Sequence, residues 1–335
     1  MALPTLLLGD IGGTHSRLEL LAGHGGQLQV RHEATYRSEN YAGIDALLDD
    51  FLASEVLRAG PLRIDAACFS VAGPVEGGAS TLTNLAWTVD AQAISGRLAI
   101  ADVLLVNDFA AVGYGIDSLG EHEVLTLQRG VPQPRGTRLV VGAGTGLGVC
   151  VLTWQEGGYA VHPSEGGHMD FAPINEAQDI LLGNLRQAFG RVSYERLVSG
   201  PGLLRIFSEM ENGGVGQASK PLREAMQRAD DPSAAISEFA IDKTDPLAVR
   251  ALDLFVDVYG AFAGNMALAT LARGGVYIAG GIARQIAAKL GDGSFVRAFT
   301  GKGRFEDLLR RYPVHIVTDP KIGLKGALQV LQQND

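Results

Sequence analysis

The chain has 335 residues, with 28 basic and 37 acidic side chains and a formal net charge of −9. That balance excludes the basic footprint of a nucleic-acid binder and fits an enzyme or small-molecule binder. It is 46% hydrophobic and 19% charged, long enough for two domains that each bury a core. No apolar run is long enough to span a membrane, and the first one stops at Asp10 without a basic leader, so a cytoplasmic location is expected.

The 44 glycines gather at the ends of apolar runs, where they read as tight turns that let backbone approach something closely. Cys68 and Cys150 each sit inside an apolar strand-like run, which predicts core thiols in a reducing compartment and no disulfide or metal site.

In chain order, Leu6–Leu8 reads as a strand. It is followed by a turn of Gly9, Asp10, Ile11, Gly12, Gly13 and Thr14, and then by a second strand from Arg17 to Leu21. Strand, glycine turn and strand predict a β-hairpin. Asp65–Ala72 is a further strand, ending at Gly73-Pro74. Thr83–Trp87 is a loop in which Trp87 serves as a packing anchor. Val103–Val106, four apolar residues, predicts a strand buried on both faces, and it stops at Asn107-Asp108. An acid at the carboxyl end of such a strand sits where open α/β sheets bind ligands, and it can take a proton from a neutral hydroxyl. Asn107 can equally cap the helix that follows, with Asp108 favouring that helix's dipole. Residues 117–138 read as a loop-rich passage into a second domain.

A second hairpin follows, with Leu139–Val141, the turn Gly142-Ala-Gly144-Thr145-Gly146-Leu-Gly148, and another apolar run. Its likeness to the first, a domain's length away, predicts two similar domains facing a shared cleft. Neither turn has the spacing of a P-loop or of a dinucleotide fingerprint, and both precede strands. Each offers a row of unhindered N–H groups and a hydroxyl, a nest for phosphate oxygens. Asp10 adds a carboxylate that can hold Mg²⁺ through water.

Further on, Glu165 and His168 flank Gly166-Gly167 in a turn that brings both side chains to one side. Two such groups without a third are weak grounds for a metal. Asn175–Phe189 reads as a helix with apolar Ile180, Leu181, Leu185 and Phe189. Ser193 starts a short helix carrying Glu195, and Ser199–Gly202 reads as a break. Residues 211–232 are expected to form a mobile loop. Asp245-Pro246 opens a long helix with the stripe Leu252, Phe255, Val256, Tyr259, Phe262, Ala263 and Met266. Its Gly260 and Gly264 permit close packing, while Asp253 and Asp257 lie on a solvated face. Gly274–Ala279 is a strand running into Gly280-Gly281 at a helix start, where exposed backbone can lie against a flat ring or a phosphate. Val314–Val317 is the last strand and Leu324–Leu331 the closing helix.

Taken together, the chain resembles the bacterial glucokinase family over nearly its whole length. Seven stretches in order carry the resemblance: Gly-Asp-Ile-Gly-Gly-Thr at 9–14, Thr-Asn at 83–84, Asn-Asp-Phe at 107–109, Gly-Ala-Gly-Thr-Gly-Leu-Gly at 142–148, Glu-Gly-Gly-His at 165–168, Glu-Arg-x-x-Ser-Gly-Pro-Gly at 195–202 and Ala-Gly-Gly at 279–281. The resemblance implies an α/β fold of two ribonuclease-H-like domains, of actin and hexokinase type, around a central cleft. The small domain would span 1–117 and be completed by a helix at about 318–335, and the large domain would span 118–317. It also implies ATP with Mg²⁺ as donor and glucose as acceptor, phosphorylated at its 6-hydroxyl to glucose 6-phosphate in the first step of glycolysis, by a homodimer. On this reading Asp108 is the general base, and Asn107, Glu165, His168 and Glu195 hold the sugar. The 9–14 turn, Gly142, Gly144, Thr145, Gly280 and Gly281 hold the nucleotide.

Three residues depart from the family pattern and bear on nucleotide affinity. His15 stands where Asn is common, Ala283 follows a glycine pair that usually precedes proline, and Lys325 replaces an apolar residue. The alternatives are a kinase for another hexose or an amino sugar, and a weakly active sugar-sensing paralogue. Repressor-type sugar kinases carry a zinc site of clustered cysteines, which two separated cysteines cannot supply. Sugar-sensing regulators on this scaffold begin with a helix-turn-helix, whereas here the first strand starts within ten residues. A filament-forming or chaperone-like ATPase predicts no polar sugar cluster.

Overall fold

The computed structural model describes residues 4–24, 27–54, 63–82 and 85–334. The chain divides into two compact units, Met1–Leu119 with Lys321–Asp335, and Gly120–Pro320.

In the first unit, β1 (Leu6–Ile11), β2 (His15–His24), β3 (Gln27–Arg37), β4 (Ala66–Val71) and β7 (Asp102–Asn107) form one sheet in the order β3-β2-β1-β4-β7. A small ribbon of β5 (Ala79–Thr81) and β6 (Thr88–Asp90) stands apart. The hairpin predicted at the start is present, with β1 antiparallel to β2 and parallel to β4. β1 is apolar at successive positions because both faces of the sheet are covered. Leu7 and Ile11 pack with Leu47, Leu48 and Phe51 of α1 (Ile44–Leu52) and Ile94 of α2 (Ala91–Leu98). Leu6 and Leu8 pack with Leu324, Ala327 and Leu331 of the closing helix, Ile322–Asn334. Trp87 is 5% exposed and sits in the α1 side of this core, as an anchor should. Thr83 and Asn84 lie outside the described residues.

The expectation of a fully buried Val103–Val106 strand is corrected. β7 is the edge of its sheet, and Val103 to Val106 are each only half-buried. A short apolar run does not distinguish a central strand from an edge strand with partial cover on both faces.

The chain leaves β7 directly into α3 (Asp108–Gly115), which crosses the closing helix closely enough to require glycine. A Cβ at Gly326 would fall 1.7 Å from the Ala111 carbonyl oxygen, and one at Gly115 would fall 2.6 Å from that of Ile322.

The second unit holds β8 (Val124–Gln128), β9 (Arg138–Ala143), β10 (Leu147–Gln155), β11 (Gly158–Ser164), β12 (Gly275–Ala279) and β13 (Val314–Val317) in the order β11-β10-β9-β12-β13-β8. β11, β10 and β9 are antiparallel, while β9, β12 and β13 run parallel. The first unit has the same order and directions in β3, β2, β1, β4 and β7. The repeated hairpin is thus part of a repeated five-stranded sheet. β8 is an addition within the stretch expected to be loop-rich, and it pairs antiparallel with β13.

Helices α4 (Glu176–Phe189), α5 (Gly200–Asn212), α6 (Lys220–Arg228), α7 (Pro232–Ile241) and α8 (Pro246–Thr270) pack around a large core that includes all of the predicted α8 stripe. Three expectations are corrected here. In α4 the buried stripe is Gln178, Leu181, Leu182 and Leu185, while Ile180 is 60% and Phe189 37% exposed. Ser199–Gly202 does not break the chain but starts α5. Ser199 accepts from the Gly202 N–H, and Pro201 falls in the first turn, where a missing N–H costs nothing. The expected mobile loop at 211–232 contains α6, capped by Ser219. The sheet continues through β12 into α9 (Gly281–Gln285), α10 (Ala287–Leu290), α11 (Ser294–Thr300) and α12 (Glu306–Leu309). Gly260 and Gly264 let α8 meet α11, since a Cβ at either would lie within 2.5 Å of the Phe295 or Phe299 carbonyl oxygen. Cys68 and Cys150 are fully buried thiols that form no disulfide, and burial pushes the Cys68 thiol up to about 12.

Gly326→Ala is expected to weaken the first unit by about 2–3 kcal/mol, because the methyl meets backbone and the helices must part. A lowered urea midpoint for the unfolding of this unit checks it. An unchanged midpoint would show that the crossing has slack.

Candidate active site

In the first unit, β1 and β7 end on the same side of the sheet, which places Asp10 and Asn107-Asp108 at the carboxyl ends of parallel strands. The Asp10 carboxylate accepts a hydrogen bond from Ser70 Oγ at 2.9 Å. Ser70 is a positioning group that the reading of the sequence missed, and the one signal was a hydroxyl inside the apolar run of β4. Gly323 lies over the same carboxylate, and a Cβ there would come within 3.4 Å of it.

The turn after β1 is tied at both ends. The Gly12 N–H donates to the His15 carbonyl at 3.1 Å, and Ser38 donates through its N–H to Thr14 O at 3.0 Å and through Oγ to Gly12 O at 2.7 Å. Gly12 and Gly13 are half-buried, and Thr14 and His15 are exposed. Gly9 and Ile11, named with this turn, serve packing. Ile11 is wholly buried in the core, and a Cβ on Gly9 would fall 2.4 Å from the Phe69 ring.

The capping reading of Asn107 is seen directly. Its Oδ1 accepts from the Phe109 and Ala110 N–H groups, both at 3.0 Å, so it caps α3. Its Nδ2 donates to Gly73 O and to Asp108 Oδ1, also at 3.0 Å. The Phe109 N–H donates to the same Asp108 oxygen at 2.8 Å. Asp108 is therefore fixed at the first position of α3, half-buried, where the helix dipole favours a carboxylate.

In the second unit, four motif segments distant in the chain meet around the β9–β10 turn. Gly144 donates to the Gly146 carbonyl at 2.8 Å and accepts from the Gly200 N–H at 2.9 Å, so the turn rests on the first residue of α5. Thr145 is exposed at its tip. Glu195 accepts from the Leu147 N–H at 3.0 Å, and its carboxylate faces Gly146, where a Cβ would fall 2.7 Å away. The Gly166–His168 turn lies over the same strand, and a Cβ at Gly167 would fall 2.0 Å from the Leu147 carbonyl oxygen. That turn brings His168 Nε2 to 3.8 Å from Glu195 Oε1. Glu165, at the head of the turn, and His168 are both exposed. Gly280 has a φ of 91° and lies beside Ala143, where a Cβ would fall 2.4 Å from the carbonyl oxygen. The structure thus brings Glu165, His168, Glu195, Gly144, Thr145 and Gly280 into one neighbourhood of this unit.

Among the described residues, no group of three or more His, Cys, Asp or Glu side chains is placed to hold a metal ion. Mg²⁺ accompanying a nucleotide needs only one or two carboxylates beside phosphates and water. Asp10 fits that demand, and Gly323 sets no side chain against its carboxylate.

A profile of the glucokinase family matches residues 7–334. The chain belongs to this family. It is similar to the glucokinase of Nostoc sp. (strain PCC 7120), at 40% identity over 96% of this chain and 97% of that protein. The glucokinase of Synechocystis sp. (strain PCC 6803) is 39% identical over 96% of each chain. Among solved structures, a glucokinase from an Antarctic psychrotroph superposes with a TM-score of 0.80 at 29% identity, covering 99% of both chains. The α/β fold expected from the family, with two sheets of one topology, is the fold of the chain.

Glu195→Ala is expected to leave the Leu147 N–H unpaired and to lower the stability of the second unit by about 1–3 kcal/mol. Glu195→Gln, which still accepts through its amide oxygen, should stay within about 0.5 kcal/mol of the unmutated protein. Urea midpoints decide, and equal losses in both variants would show that the charge carries the contact.

Proposed function

We infer that this protein catalyses the ATP-dependent phosphorylation of glucose at its 6-hydroxyl, giving glucose 6-phosphate, the first step of glycolysis. The observation that carries the reading is the full-length family match, with the family's phosphate and sugar motifs assembled at strand ends in each unit. The same match to glucokinases favours glucose over another hexose or an amino sugar.

The nucleophile is a hydroxyl, neutral at pH 7. As its oxygen attacks the terminal phosphorus of ATP and the bond to the ADP oxygen breaks, Asp108 takes the hydroxyl proton. General-base catalysis of this kind contributes about 10²–10⁴ in rate. Asn107 and the Phe109 N–H hold the Asp108 carboxylate in place for this. Asn107, Glu165, His168 and Glu195 take the sugar hydroxyls, and an acceptor left unpaired by a poorer substrate costs about 1–3 kcal/mol. Gly13 and Thr14 in the first unit and Thr145 in the second offer N–H groups and hydroxyls to phosphate oxygens, while Gly12 and Gly144 hold the two turns in shape by donating to His15 O and Gly146 O, and Gly142 ends the strand beneath the second turn. Gly9 and Ile11 fix the strand beneath the first turn. Gly280 and Gly281 present bare backbone to the nucleotide. Asp10 would hold Mg²⁺ through water, and when bound that ion neutralises charge developing on the phosphates.

The domain division of the same reading is 1–117 with about 318–335, and 118–317. It is supported by the two compact units, which part at Leu119–Gly120 and Pro320–Lys321. A cytoplasmic location is supported by two buried thiols that form no disulfide. Among the described residues, no helix is long and apolar enough to cross a membrane. A homodimer belongs to the reading, and sedimentation equilibrium tests it.

Asp108→Asn is expected to lower kcat about 10²–10⁴-fold while glucose binding stays within about threefold. Retention of a tenth or more of kcat in a coupled assay would remove Asp108 from the role of base. His168→Ala is expected to raise KM for glucose about tenfold or more and KM for ATP by no more than about twofold. The reverse pattern would assign the 165–168 turn to the nucleotide.

A further inference from the structure

One helix reaches three of the four motif segments of the second unit. Tyr259 of α8 is completely buried, and its hydroxyl accepts the Ala143 N–H at 3.2 Å and lies 3.4 Å from Val141 O. Ala143 is the residue directly before the Gly144–Gly146 turn. The phenol ring is held edge-on by Phe255 and Phe295, at centroid distances of 6.0 and 5.6 Å. One turn further along, Phe262 lies 4.6 Å from the ring of Tyr194. Asn265 then donates through Nδ2 to the Tyr194 hydroxyl at 2.9 Å. Tyr194 is the residue before Glu195. It is itself 2% exposed, set edge-on to Phe171, and tied by its N–H to the Met169 carbonyl, directly after His168. Met266 completes the stripe, its methyl 3.2 Å from where a Cβ would stand on Gly166.

A buried hydroxyl is costly unless it is hydrogen-bonded. Phenylalanine would fill the space at 259 equally well, so the Tyr259 oxygen is a commitment to the Ala143 main chain. Likewise an apolar residue at 265 would pack beneath Tyr194, and the amide is spent on its hydroxyl. Reacting and binding groups must be held within fractions of an ångström, and a continuous helix of 25 residues does this better than separate loops can.

We propose that α8 is the positioning element of the second unit, with Tyr259 setting the phosphate turn and Asn265, through Tyr194, setting Glu195 toward the sugar. This rests on the roles given above to the turn and to Glu195. The two contacts are separable. Loss of the Tyr259 hydroxyl should disturb the nucleotide side, and loss of the Asn265 amide the sugar side.

The test is a KM split. Tyr259→Phe should raise KM for ATP about 5–20-fold with KM for glucose within about twofold, and Asn265→Leu should do the opposite. Tyr159→Phe is the control, because it removes a phenol bound to a main-chain carbonyl, Gly136 O, outside the motifs, and should move neither constant. If Tyr259→Phe does not fold, Asn265→Leu alone carries the test with the same sugar-side expectation. Lowered melting temperatures with both KM values unchanged would reduce the contacts to packing and overturn the proposal. So would both constants rising together in each variant. Unmutated protein without glucose phosphorylation would instead fault the functional reading. Calorimetric binding constants of the same variants for ATP and glucose would then still decide the positioning.

Discussion

Leu147 has almost no room around its main chain. Its carbonyl oxygen lies where any side chain at residue 167 would have to go, and its N–H is claimed by Glu195. Gly146, one residue earlier, faces the same carboxylate. This crowding explains the residue types in three segments at once. The pair Gly166-Gly167 is there because the turn must lie flat on β10. Glu195 is there because a half-buried N–H needs an acceptor, and the hairpin needs glycine because that acceptor stands against it. The 166–168 turn, the 144–146 turn and the start of α5 are thereby fixed to one another by contacts that leave no slack.

The two sheets share an order and a set of directions, yet they carry different chemistry at equivalent places. Aligning Gly9 with Gly142 sets Asp10 opposite Ala143. In the first unit that position bears a carboxylate held by Ser70, whereas in the second it bears a methyl and gives its N–H to Tyr259. The last parallel strand of the first sheet runs straight into Asn107-Asp108 at a helix start, whereas its counterpart β13 ends at Val317 and is followed by Thr318 and the buried Asp319. Parallel strands deliver such groups to one end of a sheet, the end where open α/β folds take ligands. One scaffold, used twice, carries Asp10 and Asn107-Asp108 at strand ends in one copy and Glu165, His168 and Glu195 around the hairpin in the other.

Much of this was legible in the residues. The hairpins, the long helix after Asp245 and the glycines that let α8 meet α11 follow from periodicity and from turn and capping chemistry, which act locally. Where the reading slipped, the deciding contact was distant. Ile180 looks like core by composition, but the face of α4 that packs is chosen by Leu181, Leu182 and Leu185 against the rest of the unit. Ser199-Gly-Pro-Gly202 looks like a breaker until Ser199 is seen to cap the helix it begins. β8 is a short alternating run that becomes a strand only because β13 offers it an edge. At the site the residue types were legible and their supports were not. Ser70, Tyr194, Tyr259 and Asn265 carry no motif, and they matter through hydrogen bonds that span up to 118 residues of chain.

The glycine-lined crossing of α3 and the closing helix also bears on how the protein is made. The first unit has one face of its sheet covered by residues 322–334, about two hundred positions downstream of Leu119. On a ribosome adding about 5–20 residues per second, its strands would wait roughly 10–40 s for that cover, with Leu6, Leu8 and Cys68 open on one side. The second unit is contiguous and can close first. Biogenesis of the fold is therefore out of sequence order, and the amino-terminal sheet is the segment a nascent-chain chaperone would have most reason to shelter.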